Sequence, residues 1–153
     1  MLIPRETIYS TLFATWQTAL AGQVQFFTRR PDVYHNVGMD SMPALLQVER
    51  RETAMKASPN MPGYWRIEVQ VLVYFATGAD VHHVIPSQVI NPILDSIETA
   101  LQPNPLLGSY EQYLGLDGVR QVTISGQIEI IEGLTSSGGV AEAIIPIEIL
   151  ALS

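Results

Sequence analysis

Alternation of apolar and polar residues is the strongest pattern in the first half of the chain. Over residues 64–77 one face would carry Trp65, Ile67, Val69, Val71, Val73 and Phe75. Over residues 44–52, Ala44, Leu46 and Val48 fall on one face, and Gln47, Glu49 and Arg51 on the other. A period of two is typical of half-buried strands in an antiparallel sheet. The long connection between these strands, Thr53 to Gly63, predicts an arm that is mobile or docked on a neighbour.

The second half continues the same alternation. Residues 121–130 predict one strand, a glycine- and serine-rich turn covers 133–139, and residues 141–151 predict the last strand. Pro146 interrupts this last strand and has no N–H to donate to a neighbouring strand. We therefore expect the strand to lie at a sheet edge, or to be bulged at Pro146. A short β-prone run at 24–28 adds a further strand near the N-terminus.

Two segments have a helical period instead. In residues 4–21 the apolar positions are Ile8, Leu12, Trp16, Ala19 and Leu20; in residues 87–101 they are Ile90, Ile93, Leu94, Ile97, Ala100 and Leu101. Apolar residues three or four apart share one face of an α-helix. Pro92 lies inside the second pattern, which predicts a kink or an irregular first turn.

The order of elements predicts an α+β fold. It reads α-β-β-β-α-β-β, in a single domain over residues 1–153. The simplest arrangement is an antiparallel or mixed sheet of about four to five strands, with both helices packed on one face. The opposite, mostly polar face would then be free, except where Leu72 and Tyr74 predict that something covers it.

Charge narrows the function classes. The formal charge is −7, with 8 basic and 15 acidic residues, and only 15% of the residues are charged. Binding to DNA phosphates needs clustered cations, so we expect no sequence-specific DNA binding. An acidic wall past which DNA slides remains compatible with this charge. There is no cysteine and no apolar run long enough to span a membrane, so thiolate sites are excluded and no membrane contact is expected.

The chain offers little catalytic chemistry. His82 and His83, with Asp80 nearby, are the only residues that resemble a ligand cluster, and adjacent side chains diverge on an extended segment. Ser125–Gly126 lacks the surroundings of a nucleophile elbow, and Gly138–Gly139 lacks the lysine of a phosphate-binding loop. Glu129, Glu132, Glu142 and Glu148 leave open a pair of carboxylates for acid–base catalysis. We predict no enzymatic activity, no catalytic residue, no cofactor and no metal.

The second half of the chain resembles a known family. Leu114 to Gly118, Leu-Gly-Leu-Asp-Gly, precedes the strand beginning at Val119, and the chain ends on residues 141–150, Ala-Glu-Ala-Ile-Ile-Pro-Ile-Glu-Ile-Leu. Upstream lies the helical run Ile90 to Leu101. With the order of elements over nearly the whole chain, these patterns are similar to those of siphophage tail terminators, minor tail proteins that include the lambda-like gpU proteins.

That resemblance implies a structural role in the virion. Such proteins form hexameric rings that cap the tail tube and stop its polymerisation. The ring joins the tube to the head-completion proteins of the neck, and DNA passes through its centre. The implied partners are copies of the chain, the major tail tube protein and a head-completion or connector protein. The implied location is the tail–head junction, after assembly in the host cytoplasm.

Seven residues are the predicted interface positions: Tyr34 and Met39 in the early loop, Met55, Lys56 and Met61 in the arm, and Glu129 and Glu132 in the C-terminal hairpin. Two alternatives stay open. The chain could be another neck, connector or tail-tube protein. It could also be a small α+β ligand-binding module or enzyme that uses His82, His83 or the C-terminal glutamates.

Overall fold

The computed structural model describes residues 1–30, 37–56, 58–78, 86–135 and 138–153. These residues form two helices and six strands: α1 (Arg5–Ala19), β1 (Phe26–Thr28), β2 (Ala44–Met55), β3 (Tyr64–Gly78), α2 (Pro86–Leu101), β4 (Val119–Ile124), β5 (Glu129–Thr135) and β6 (Gly138–Leu152). A short 3₁₀ turn, Met39–Ser41, precedes β2. The predicted helices and the long strands are present within a few residues of their expected limits.

The strands form one mixed sheet in the order β1-β2-β3-β6-β4, with β5 also paired to β6. Because β3 occupies one edge of β6, β4 and β5 share the other edge, one after the other. Only β1 is parallel to its neighbour, and the remaining pairs are antiparallel. The α+β class is confirmed, whereas the described sheet has six strands rather than four or five.

The main core lies between the two helices and one face of the sheet. Alternate residues of β3 and β6 point into it, among them Val71, Phe75, Ile145 and Ile149, which are fully buried. The helices contribute Ile8, Leu12, Trp16, Ile90 and Ile97. Full burial of one such side chain contributes about 1.5–3 kcal/mol, so this layer is the main source of stability. α2 continues through Pro92.

A second, smaller core covers part of the face that lacks helices. It contains Met42, Ala44, Leu46, Leu72 and Tyr74, with Val37, Met39 and Val48 packed at its rim. The cover predicted at Leu72 and Tyr74 is therefore confirmed, and residues of the same chain supply it. The expectation that this face is free is wrong at this end, because the apolar side of β2 faces away from the helices and the segment before β2 folds over it.

The last three strands differ from the prediction in two ways. Residues 121–130 are not one strand, because the chain leaves the sheet between Ile124 and Glu129. Gly126 lies in this break with a φ of +107°, a conformation that L side chains rarely adopt.

β6 is a central strand, so Pro146 does not mark a sheet edge, but the ladder on one side is interrupted there: β5 pairs as far as Ile144 and β4 starts at Ile147. The predicted bulge is also absent, because the register with β3 runs through Gln70 opposite Pro146 without a shift. The carbonyl of Pro146 accepts a hydrogen bond from the N–H of Ser125, 2.9 Å away. Since the N and C=O of one strand residue point the same way, the nitrogen without a hydrogen faces the break between β4 and β5.

Candidate assembly surfaces

The β5–β6 hairpin presents apolar side chains on both faces. Ile130 and Ile131 are 41% and 51% exposed although they point to opposite sides of the strand. β5 pairs only with β6 among the described residues, so its outer edge is open. Glu129 and Glu132, two of the predicted interface residues, are both exposed on this strand. An open strand edge with apolar neighbours is a surface on which another chain can pair.

The second half of β2 is open on the other side of the sheet. β1 pairs only with Ala44, Leu45 and Leu46, and beyond them no described strand lies against the outer edge of β2. The register between β2 and β3 shifts between Glu49 and Arg51, which marks a β-bulge. The described sheet therefore has an unpaired strand segment at each of its two sides.

The arm between β2 and β3 is partly exposed. Met55 is the last residue of β2, half-buried, and pairs with Tyr64. Lys56 is exposed, and Met61 is 60% exposed near the tip. The β2–β3 pairing thus extends into the predicted arm, through Thr53 to Met55, so the arm is shorter than expected. Two of its three predicted interface residues are accessible.

The described end of the early loop, residues 37–43, packs against its own chain. Met39 is half-buried and packs on the second core, so much of its side chain is not available to a partner. Tyr34 lies outside the described residues. Met39 therefore offers less side-chain surface to a partner than the residues of the hairpin and the arm, and Tyr34 stays a prediction.

Sequence reasoning missed the connection between α2 and β4. Leu106 is 92% exposed, and Leu107 and Tyr110 are also exposed. The Arg120 guanidinium lies 4.5 Å from the centre of the Tyr110 ring, which holds this loop towards β4. The signal was Leu106–Leu107 within a proline-rich run that belongs to no periodic segment, where no core of the chain requires two leucines.

An ion-pair network fixes α1 to the open half of β2. Arg29 binds both Glu6 of the helix and Glu49 of the strand, while Arg5 binds Glu52. The Tyr9 hydroxyl donates to Glu52 at 2.7 Å. Sequence reasoning missed this network, because residues far apart in the sequence meet only once the helix lies across the strand.

The network also shifts the pKa values of Glu6, Glu52 and Tyr9. The hydrogen bond from Arg29 holds the pKa of Glu6 below its ordinary value of 4.5. Burial opposes ionisation of Glu52, but hydrogen bonds from Arg5 and Tyr9 outweigh it and lower the pKa of Glu52. Burial and the neighbouring Glu52 carboxylate raise the pKa of Tyr9. At neutral pH both glutamates are charged, so the network is formed.

Under the bulge, a buried glutamine connects the same helix and strand. The Trp16 Nε1–H donates to the Gln47 side-chain oxygen at 3.1 Å, and the Gln47 amide donates to the Tyr9 carbonyl at 3.0 Å. Gln47 is almost fully buried, and both halves of its amide are satisfied. Gln47 and Glu49 therefore lie on the helix side, as two of the three predicted polar positions. Arg51 does not share their face as predicted, because the bulge turns it to the helix-free side opposite Glu68.

The residues considered for catalysis do not converge in the described part of the chain. His35, Asp80, His82 and His83 lie outside the described residues. Elsewhere, no group of three or more histidines and acids could hold a metal ion. Ser125 is exposed in the break between β4 and β5.

The C-terminal acids have separate surroundings. Glu142 accepts a hydrogen bond from the Tyr74 hydroxyl at 2.8 Å, and burial raises its pKa. Glu148 lies 3.9 Å from Arg66, while Glu129 and Glu132 are exposed on β5. The arrangement supplies a charged sheet surface rather than a paired acid and base.

Two of the described grooves are lined largely by charged side chains. One lies on the helix-free face, lined by Arg50, Arg66, Glu68 and Glu148. Another lies at the edge of β2, lined by Arg5, Glu6, Tyr9 and the strand from Glu49 to Glu52. Small-molecule sites are usually concave and mostly apolar, and these charged grooves have a different character.

Comparison with known proteins adds no family. A scan against protein-family models gave no match, and a search of curated proteins gave none either. Neither of the two described helices is long and apolar enough to cross a membrane.

Proposed function

We propose that this chain is a structural protein of phage tail assembly, a tail terminator that forms a ring on the end of the tail tube. The observation that carries the proposal is the sheet with an open strand segment at each side, β5 at one and the second half of β2 at the other. A ring closes through a heterologous contact, which requires two different surfaces on each subunit. The resemblance in element order supplies the phage context.

The remaining surfaces fit the same role. The exposed leucines before β4 and Met61 at the arm tip provide apolar contacts for proteins above or below a ring. The charge of −7 suits a lumen through which DNA moves without being retained. The proposed partners are further copies of the chain, the tail tube protein and a head-completion protein, at the tail–head junction of the virion.

Deletion of the gene in its phage tests the position in the assembly. Over-long tails are expected, because an uncapped tube continues to add subunits. Heads without tails would instead indicate a tube subunit, and normal-length tails detached from full heads would indicate a head-side connector. Those two outcomes would contradict the terminator and support the structural alternatives.

Purified protein provides the second measurement. Negative-stain microscopy with isolated tail tubes should show a ring at one tube end. Protein that remains monomeric at high concentration and does not bind tubes would contradict the proposal. Loss of infectivity in His82→Ala or His83→Ala phage, with tube binding intact, would favour the ligand-binding or enzymatic alternative.

A further inference from the structure

The two open edges of the sheet are complementary in charge. β5 runs Glu-Ile-Ile-Glu-Gly-Leu-Thr and contains two acids and no cation. The second half of β2 carries Arg50 and Arg51, both exposed, followed by the exposed Lys56. Its own acids, Glu49 and Glu52, are already bound by Arg29 and Arg5. One edge of the molecule is therefore acidic and the other presents cations.

We propose that β5 of one copy pairs with the second half of β2, Arg51–Met55, of the next copy. The occupant of the β5 edge is thus a second copy of this chain, and the contact is heterologous. The proposal deepens the proposed function by naming the subunit contact of the ring, and it can fail while that function stands.

The strand directions agree with this pairing. β5 is antiparallel to β6, β6 to β3, and β3 to β2. A neighbour placed in the same orientation would therefore present its β2 antiparallel to β5, the arrangement in which strands bond most directly. The pairing segment lies beyond the bulge at Arg50, where β2 has regular register again.

The side chains also match face by face. Glu129 and Ile131 share the helix-free face with Ile144 and Glu142, their partners on β6. On that face β2 presents Arg51 and Thr53, which are paired with Glu68 and Arg66. Pairing that places Ile131 opposite Thr53 puts Glu129 opposite Met55, next to the exposed Lys56.

On the helix side, an acid of β5 can again meet a cation of the neighbouring copy. Ile130 and Glu132 share the face of Ala143 and Ala141. There β2 presents Glu52, whose partner Arg5 is half-exposed at the rim and can receive Glu132. Pairing would cover Ile130 and Ile131, which no described residue of their own chain covers fully.

The pairing requires neighbouring copies to be displaced relative to each other along the strand direction. β5 lies level with the beginning of β2, whereas the open half of β2 lies beyond it. A closed sheet accommodates such a stagger when its strands are tilted to the axis. The alternative role of Glu129 and Glu132 is to keep an exposed edge from pairing at all, since charged residues are common on protected edges.

Crosslinking of the complete chain separates these roles. The chain has no cysteine, so Ile131→Cys and Thr53→Cys each introduce a single thiol. Mixed at high concentration with a short bis-maleimide, the two variants should form heterodimers at least about tenfold above the mixture of Ile131→Cys with Thr99→Cys, a threonine on α2 that is more exposed than Thr53. Equal yields in the two mixtures would overturn the proposal.

Charge reversal gives an independent readout by sedimentation velocity. Glu129→Lys with Glu132→Lys, and separately Arg51→Glu with Lys56→Glu, should each weaken self-association at least about tenfold. An equimolar mixture of the two variants should restore it, because every contact in an alternating assembly is then between opposite charges. A mixture as weak as its components would overturn the proposal, as would tighter binding of the β5 variant to wild type, which indicates β5–β5 pairing.

The outcomes are distinct from those that test the proposed function. Rings on tail tubes without the crosslink would reject this contact and leave the terminator intact. The crosslink together with normal tails after gene deletion would support the contact and reject the terminator.

Discussion

β6 and β5 are adjacent in the sheet, both rich in isoleucine, and opposite in exposure. In β6, Ile145, Ile147 and Ile149 are buried beneath the helices, whereas Ile130 and Ile131 in β5 are substantially exposed. The difference arises from position, because β6 has strands on both sides and helices above, while β5 has a described neighbour on one side only. Strand preference reflects the surroundings as much as the residue, so the same residue type stabilises the fold in one strand and offers a contact in the other.

The largest expected effect is in β6, the buried strand of this comparison. Ile147→Ala should lower the free energy of unfolding by about 2–5 kcal/mol, because it removes buried apolar atoms and leaves a cavity under the helices. Urea unfolding followed by circular dichroism measures it. Ile131→Ala is the matched control and should change the free energy by less than about 0.5 kcal/mol. Equal losses in both variants would show that β5 is part of the folded core.

The next effect tests whether a polar residue can hold a buried position. Gln47→Leu leaves the Trp16 indole N–H without its acceptor, which should cost about 1–3 kcal/mol in unfolding free energy. Gln121→Leu, at an exposed position on β4, serves as the control. An unchanged midpoint in urea for Gln47→Leu would mean that the hydrogen bonds of Gln47 contribute nothing net.

The sequence predicted the individual strands better than it predicted which strands pair with each other. Alternation over residues 64–77 and 141–151 predicted β3 and β6 closely, because each strand has one continuously buried face. The same reasoning failed for Pro146, since whether a strand is central depends on which segments pair with it, and no local pattern contains that information. Gly126 was the available signal for the break between β4 and β5.

The candidate surfaces were predicted in the same uneven way. Lys56 and Met61 are accessible because the arm remains outside the core. Glu129 and Glu132 are accessible because they lie on the open edge strand β5. The open edge of β2 was not predicted. It exists because β1 is only three residues long, and that length is set by tertiary pairing.

A smaller effect concerns pH. Glu6 and Glu52 have folded-state pKa values below 4.5, so their stabilisation is fully present above pH 4.5 and is lost as pH falls through those lower values. Arg29→Met removes the main cause of the Glu6 shift. Its stability should be lower at neutral pH and should approach that of wild type in acid, as measured by thermal unfolding from pH 7 to pH 3.

Glu142, whose pKa is shifted in the opposite direction, provides a control for the Arg29→Met experiment. Burial raises the folded-state pKa of Glu142 above 4.5, so its ionisation costs stability as pH rises through the interval above 4.5. Glu142→Gln should therefore gain stability relative to wild type on going from acid to neutral pH. If the stability difference between each variant and wild type were the same at every pH, these carboxyl groups would not be the cause of the pH dependence.

The smallest expected effect is at Pro146, and it sharpens the contrast between a central and an edge strand. Pro146→Ala should lower the free energy of unfolding by only about 0.4–1 kcal/mol, chiefly because alanine leaves the unfolded chain less restricted than proline. No ladder bond to β3 is gained, since the nitrogen of residue 146 faces the break at Ser125. Urea unfolding measures the change, with Pro62→Ala in the exposed arm as control. A stabilisation of Pro146→Ala would mean that the new N–H finds an acceptor, and that the break between β4 and β5 closes when the donor is present.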